Sequence, residues 1–197
     1  EIARTLHRIS ERSGPYEANR VLALLRHLYA WGAKVQVVKC VNPAVNLAPE
    51  PESGRERSLT ADETRTLLKS IAEEPDPLWQ GYFLLLLLTG CRRSELLSAK
   101  WDWYRSDNSP PLMVLPRTAT KQKREHLVAL SGEAMQIIEQ LPSRGRSAWL
   151  FPSDEGGPRT EPKRCWKRIC DRAGLANLRI HDLRHAVGSS LGSAGEN

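Results

Sequence analysis

Two adjacent arginines, Arg92 and Arg93, stand in the stretch TGCRRSE (89–95), directly after Phe83 and five leucines. A surface accepts such charges easily, but a core rejects them unless a partner compensates. Downstream, Lys121 follows Thr120 between two apolar runs, and His181 and Arg184 lie three apart in LRIHDLRHAVGSSLG. That spacing puts His181 and Arg184 on one side of a helix. Leu183, Ala186, Val187 and Ser190 or Leu191 fall on the other side, and Gly188 extends the His181–Arg184 side without a side chain. Arg92, Lys121, His181 and Arg184 all offer hydrogen-bond donors, and none is a carboxylate suited to hold a metal. A donor-only set suits a phosphodiester. Guanidiniums fork onto its non-bridging oxygens, imidazole donates or moves a proton, and a lysine can protonate a leaving alkoxide. Taken alone, HDLRH also fits a surface helix that carries a His and an Arg by chance.

These residues need elements to aim them. Leu22, Leu25, Leu28 and Tyr29 repeat at helical spacing and predict a helix over Tyr16–Gly32. Residues 48–58, APEPESGRERS, are polar and rich in Pro and charge, and read as a linker between residues 1–47 and 59–197. Thr60 and Glu63 fit a capping box opening a helix to about Ala72. Asp76-Pro77 fits an N-cap with Pro at N1. The helix that follows runs through Leu84–Leu88, with burial expected nearly all round, and breaks at Thr89-Gly90. A short helix is expected around Arg92–Lys100. Residues 112–116 and 126–130 predict a β-hairpin whose turn holds Lys121, Lys123 and Arg124, with a possible third strand at Trp149–Phe151. Short helices are expected at Gly132–Gln140 and Pro162–Ala173. The second shows an apolar face of Trp166, Ile169, Cys170 and Ala173, with Lys163, Arg164, Lys167, Arg168 and Arg172 around the rest and Gly174 as its C-terminal stop. The fold class is therefore mainly α with a small antiparallel β-sheet.

Composition sets the bounds. The 197 residues are 40% apolar and 26% charged, ordinary for a globular chain. Phe83–Leu88 is too short to span a bilayer, no signal peptide is visible, and no membrane partner is expected. Residues 117–184 hold 14 Lys/Arg against 8 Asp/Glu, which accounts for the whole net charge of +6. Such a confined surplus fits either a polyanion partner or a solvated basic face. The four cysteines lack CxxC or zinc-finger spacing, so reduced, mostly buried thiols are expected. The chain starts at Glu1 and stops in SSLGSAGEN, and it reads as a fragment.

T-G-x-R-x-x-E at 89–95, T-K in a hairpin at 120–121 and H-x-L-R-H at 181–185 resemble, in order and spacing, the phage-type tyrosine recombinases (site-specific integrases). The resemblance covers residues 59–197. Upstream, a helix ending near Trp31-Gly32, then Asn42-Pro43-Ala44 and a linker, look like the end of that family's helical core-binding domain. The likeness implies a catalytic domain at 59–197 that breaks and rejoins DNA through a 3′-phosphotyrosyl intermediate without cofactor or metal. It implies that Arg92 and Arg184 are the two catalytic arginines, Lys121 the hairpin general acid toward the 5′-hydroxyl, and His181 an aid to proton transfer. Glu95 would buttress a nearby side chain. His185 would support the site or serve packing. Arg93, Lys123, Arg124, Lys163 and Lys167 would contact DNA, with Lys123 and Arg124 as rivals for the hairpin role.

The family's nucleophile is a tyrosine beyond the second arginine. Tyr16, Tyr29, Tyr82 and Tyr104 all precede Lys121, so this chain offers none at that position, and the fragment alone is expected to be inactive. The family also implies double-stranded DNA at specific recombination sites, a homo-tetramer on paired sites, accessory DNA-bending or directionality factors, and the cytoplasm or nucleoid of a bacterium carrying a mobile element. Three other readings compete: a non-catalytic site-recognising DNA-binding protein derived from an integrase, a metal-independent nuclease in which His181 activates water, and a purely structural helical domain.

Overall fold

The computed structural model describes residues 1–54 and 57–184. The chain divides into two units, Glu1–Glu56 and Arg57–Asn197. No helix among the described residues is long and apolar enough to cross a membrane.

The first unit holds α1 (Ile2–Ser13) and α2 (Pro15–Lys34), separated by Gly14, whose φ of 88° only glycine adopts freely. α1 went unread in the sequence, although Ile2, Leu6 and Ile9 follow helical spacing along it. Leu6, Leu22 and Ala44 form a small core. The Arg26 guanidinium donates to the carbonyl of Ala44 at 3.0 Å and to that of Leu47, folding the returning chain onto α2. Asn19 holds the next residues, donating to the Glu50 carbonyl and accepting the Glu50 N–H, both at 2.8 Å. The Tyr16 hydroxyl donates to the Ser53 carbonyl. The polar stretch read as a linker is thus bonded to this unit as far as Ser53.

The second unit opens with α3 (Ala61–Ala72), whose capping box forms as the sequence predicts: Thr60 Oγ1 accepts the Glu63 N–H and Glu63 accepts the Thr60 N–H. Asp76 caps α4 (Pro77–Thr89) by accepting the Leu78 N–H at 2.9 Å. α4 is less enclosed than expected. Phe83, Leu85 and Leu86 are buried, Leu84 and Leu87 are partly buried, and Leu88 is 41% exposed. α5 (Arg93–Leu97) is shorter than the helix expected to reach Lys100, and a 3₁₀ turn follows at Trp101–Trp103.

The sheet has the order β1 (Tyr104–Arg105), β2 (Leu112–Leu115), β3 (His126–Ala129), all antiparallel. Its third strand is Tyr104–Arg105 and not Trp149–Phe151. Trp149 makes only an isolated bridge to Lys100, and Leu150 and Phe151 are instead fully buried core residues. α6 (Gly132–Glu139) and α7 (Pro162–Ala173) complete the unit, α7 ending at Gly174 in the left-handed region. The core joins α3, α4, α6, α7 and the sheet, with Tyr82, Phe83, Phe151 and Trp166 as an aromatic cluster at its centre.

Two of the five basic residues on α7 do not serve a free basic face. Arg168 forks onto Glu74, only 1% exposed, and Arg172 Nη1 donates to the Ser70 carbonyl at 2.8 Å. Both fasten α7 to the end of α3. Cys91, Cys165 and Cys170 are buried and Cys40 is exposed, all as free thiols.

Candidate functional site

α4 delivers the TGCRRSE turn. Thr89 Oγ1 donates back to the Leu85 carbonyl and accepts the Cys91 N–H. Gly90 then ends the helix with φ 60° and ψ 17°, a conformation that costs any residue with a Cβ. The reversal starts α5 at once, with Arg92 as its N-cap. Glu95, 1% exposed, lies one turn in and binds Arg92 twice: Oε2 accepts the Arg92 N–H at 2.9 Å, and Oε1 accepts from Arg92 Nη1 at 2.7 Å. A buried carboxylate needs such partners. The Arg92 side chain remains 32% exposed. This answers why two arginines follow the leucines: Arg92 is compensated by a buried acid, while Arg93 is exposed. The Tyr82 hydroxyl, at the core's centre, donates to the Arg93 carbonyl at 3.2 Å and fixes the first turn of α5 from below. Burial holds the Tyr82 phenol well above the ordinary tyrosine pKa.

Arg184 comes to the same turn from 94 residues away. Its Nη1 donates to the Gly90 carbonyl, two residues before Arg92. Fully buried Leu183 anchors the segment that carries it. The Arg184 N–H donates to the His181 carbonyl at 3.2 Å, so the two residues share one turn, and His181 is exposed. Asp182 between them is buried and accepts the Arg179 N–H at 2.8 Å. His185 lies outside the described residues.

Lys121 is exposed in the loop between β2 and β3 with Lys123 and Arg124. Thr120, 7% exposed, closes that loop: Oγ1 accepts the Arg124 N–H at 3.2 Å and donates to the Arg124 carbonyl at 2.5 Å. The Lys123 N–H donates to the Thr120 carbonyl at 3.1 Å, with Lys123 at φ 53°. Lys163 and Lys167 are exposed on α7, Lys167 pairing with Asp171 one turn on. The structure therefore brings Arg92, Glu95 and Arg184 to one turn, places His181 three residues before Arg184 in the segment that delivers it, and holds Lys121 on a self-tied loop.

Sequence reasoning missed Thr120 as a clasp, Asp182 as a buried acceptor and Tyr82 as a support. A polar residue beside each expected site residue was the available signal for the first two. Tyr82 offered none, because its partner is a backbone carbonyl.

The chain matches the profile of the phage integrase family over residues 57–197. It is 31% identical over 186 residues to a shufflon-specific DNA recombinase of Escherichia coli, covering 91% of this chain and 46% of that protein. It is 25% identical over 159 residues to the integrase of Salmonella phage P22, covering 75% and 40%. The chain thus spans less than half the length of these relatives. Its fold resembles the Tn1549 transposon integrase solved with circular intermediate DNA (TM-score 0.76, 16% identity, 98% of this chain and 72% of that one). It also resembles a lambda integrase tetramer bound to a Holliday junction (TM-score 0.77, 16% identity, 95% and 57%). With a family profile covering most of its length and a relative above 30% identity aligned along nearly all of it, this chain belongs to the phage integrase family.

Proposed function

We propose that residues 59–197 are the DNA-cleaving part of a site-specific recombinase, with residues 1–47 as part of a helical DNA-binding domain and 48–58 as the connection. The observation that carries this reading is the shared turn: Arg184 donates to the Gly90 carbonyl while Arg92, two residues on, is gripped by buried Glu95. Two guanidiniums held at one turn form a receptor for the non-bridging oxygens of a phosphodiester. Donors fixed before the reaction need no reorganisation as charge develops, which makes a rigid turn the right platform.

In this reading a tyrosine oxygen attacks the phosphorus, the P–O5′ bond breaks, and a 3′-phosphotyrosyl link stores the bond. Lys121 gives its proton to the departing 5′ oxygen, and His181 assists proton transfer at the phosphate. Glu95 acts through Arg92 and touches no substrate. Tyr82 does not fit the nucleophile's role, because it is fully buried and its hydroxyl is used on Arg93. Exposed Arg93, Lys123, Arg124, Lys163 and Lys167 bind backbone phosphates, so affinity falls steeply with salt. The partners are double-stranded DNA at recombination sites and further copies in a tetramer.

Covalent trapping tests the reading. The full-length protein and residues 1–197 are each incubated with nicked DNA carrying the target site, selected from a random pool where necessary, and run on a denaturing gel. The expected result is a protein–DNA adduct from the full-length protein that Arg92→Ala abolishes. DNA binding without an adduct from either chain would turn the assignment to a non-catalytic site-recognising protein. Cleaved free ends without an adduct would turn it to a nuclease.

A further inference from the structure

Lys121 poses a problem that the arginines do not. A lysine carries four flexible carbons and a point charge, and holding it in one place costs conformational entropy. Residues 121–126 are all exposed, so packing does little to confine them. Thr120 is the exception in this loop: its side chain is buried, and its one hydroxyl binds both backbone groups of Arg124, accepting the N–H at 3.2 Å and donating to the carbonyl at 2.5 Å. The Lys123 N–H returns to the Thr120 carbonyl, and Lys123 occupies the left-handed region that L residues rarely adopt. The tip is thereby closed on itself across five residues, and Lys121 is the first residue past the clasp.

Resting on the function proposed above, we infer that Thr120 is a positioning residue: its hydroxyl clasp on Arg124 sets where the Lys121 ammonium meets the leaving 5′ oxygen. The step it serves is one proton transfer. As the P–O5′ bond breaks, the 5′ oxygen takes the electron pair and receives a proton from the Lys121 ammonium, leaving a 5′-hydroxyl and a neutral amine. A misplaced loop slows this step but leaves phosphate binding by Arg92 and Arg184 intact.

The chemistry supplies a test that a merely structural role would not pass. A 5′-bridging sulfur in place of the 5′ oxygen leaves as a thiolate and needs no proton donor. Full-length protein with Thr120→Val, Thr120→Ser or Lys121→Ala is assayed on suicide duplexes carrying the target site, with either oxygen or sulfur at the scissile 5′ position. General acid catalysis is typically worth about 10²–10⁴-fold. Thr120→Val, which keeps the lysine and loosens its mount, is expected to slow the oxygen substrate by about 10- to 100-fold. On the sulfur substrate it should act at nearly the unsubstituted rate, and Thr120→Ser should restore oxygen cleavage. Lys121→Ala should show the same contrast, more strongly. If Thr120→Val slows both substrates alike, or neither, while Lys121→Ala is rescued by sulfur, this inference is overturned and the lysine assignment stands. If sulfur fails to rescue Lys121→Ala, the lysine assignment falls and the inference with it.

Discussion

The turn at residues 89–95 and the loop at 117–125 present basic side chains by opposite means. At the turn, Arg92 is held by a carboxylate that is 1% exposed, and Arg184 by the carbonyl of a glycine in the left-handed region, 94 residues away in the chain. At the loop, the bonds that set the shape run between the loop's own residues, from Thr120 to Arg124 and from Lys123 to Thr120. Coupling to the core makes a seat rigid at the cost of desolvating its partners. Local ties shape the tip, while residues 121–126 stay exposed. Under the function proposed above, the difference would match two chemical tasks. Charge stabilisation rewards a fixed donor, whereas a proton donor has to follow a leaving group as it departs.

Removing an arginine breaks the comparison most severely. Arg92→Ala and Arg184→Ala are each expected to slow adduct formation by the full-length protein about 10²–10³-fold, the usual loss for one preorganised donor. DNA affinity should change far less, because many other phosphate contacts remain. Single-turnover cleavage beside equilibrium binding at one stated salt concentration checks this. An equal fall in both would mean that the arginines serve binding and not the transition state.

Glu95→Gln tests the rigid seat without touching the guanidinium. The amide retains one acceptor where the carboxylate supplied two, so either the Arg92 N–H or its Nη1 loses a partner. Since Arg92 is 32% exposed, solvent offsets part of that loss. A decrease of about 1–3 kcal/mol in unfolding free energy is expected, read as a lower urea midpoint at unchanged slope. Thr120→Val, by contrast, is expected to shift the midpoint less, because its clasp holds a loop and not a core seat.

What the sequence disclosed follows the range over which each feature is decided. The α3 capping box, the Asp76-Pro77 start of α4, the stop at Gly90 and the β2–β3 hairpin are set within a few residues, and each formed where local chemistry pointed. The Arg92–Glu95 pair is also local, three residues apart. The Arg184–Gly90 and Arg168–Glu74 bonds each join residues 94 apart and leave no pattern in a short window. Lys163 and Arg168 therefore look alike in the sequence and both are exposed, though Arg168 also fastens α7 to the end of α3. The third strand was misplaced for a related reason. Trp149–Phe151 is apolar enough for a strand, but Leu150 and Phe151 are used in the core, while Tyr104–Arg105 pairs with β2 through only two residues. α1 was missed because its apolar residues are widely spaced among charged ones.

The smallest effect gives the finest measure of rigidity, because a reporter is already built into the turn. Cys91 lies between Gly90 and Arg92 and is 3% exposed. Burial is the chief cause that pushes its thiol up to about 11, with Glu95 adding to the rise and the Thr89 hydrogen bond and Arg184 charge opposing it. At pH 8 about one molecule in a thousand would carry the reactive thiolate, even with access granted. Cys165 and Cys170 are likewise pushed up by burial, to about 12 and about 11. Alkylation of the native chain should therefore label exposed Cys40 quickly and the other three only through opening of the fold. Each buried thiol has a folded pKa above its ordinary value of 9, so its favourable share is intact below pH 9 and lost as pH rises through about 11 for Cys91 and Cys170 and about 12 for Cys165. Arg184→Ala removes a charge that lowers the Cys91 pKa, which by itself would slow labelling. It also removes the bond to Gly90, which frees the turn to open. If the arginine holds the turn shut, Cys91 labelling at pH 8 should accelerate several-fold while Cys165 and Cys170 stay unchanged. Slower labelling at Cys91 would mean that only the charge was felt, and that the turn is rigid without its second arginine.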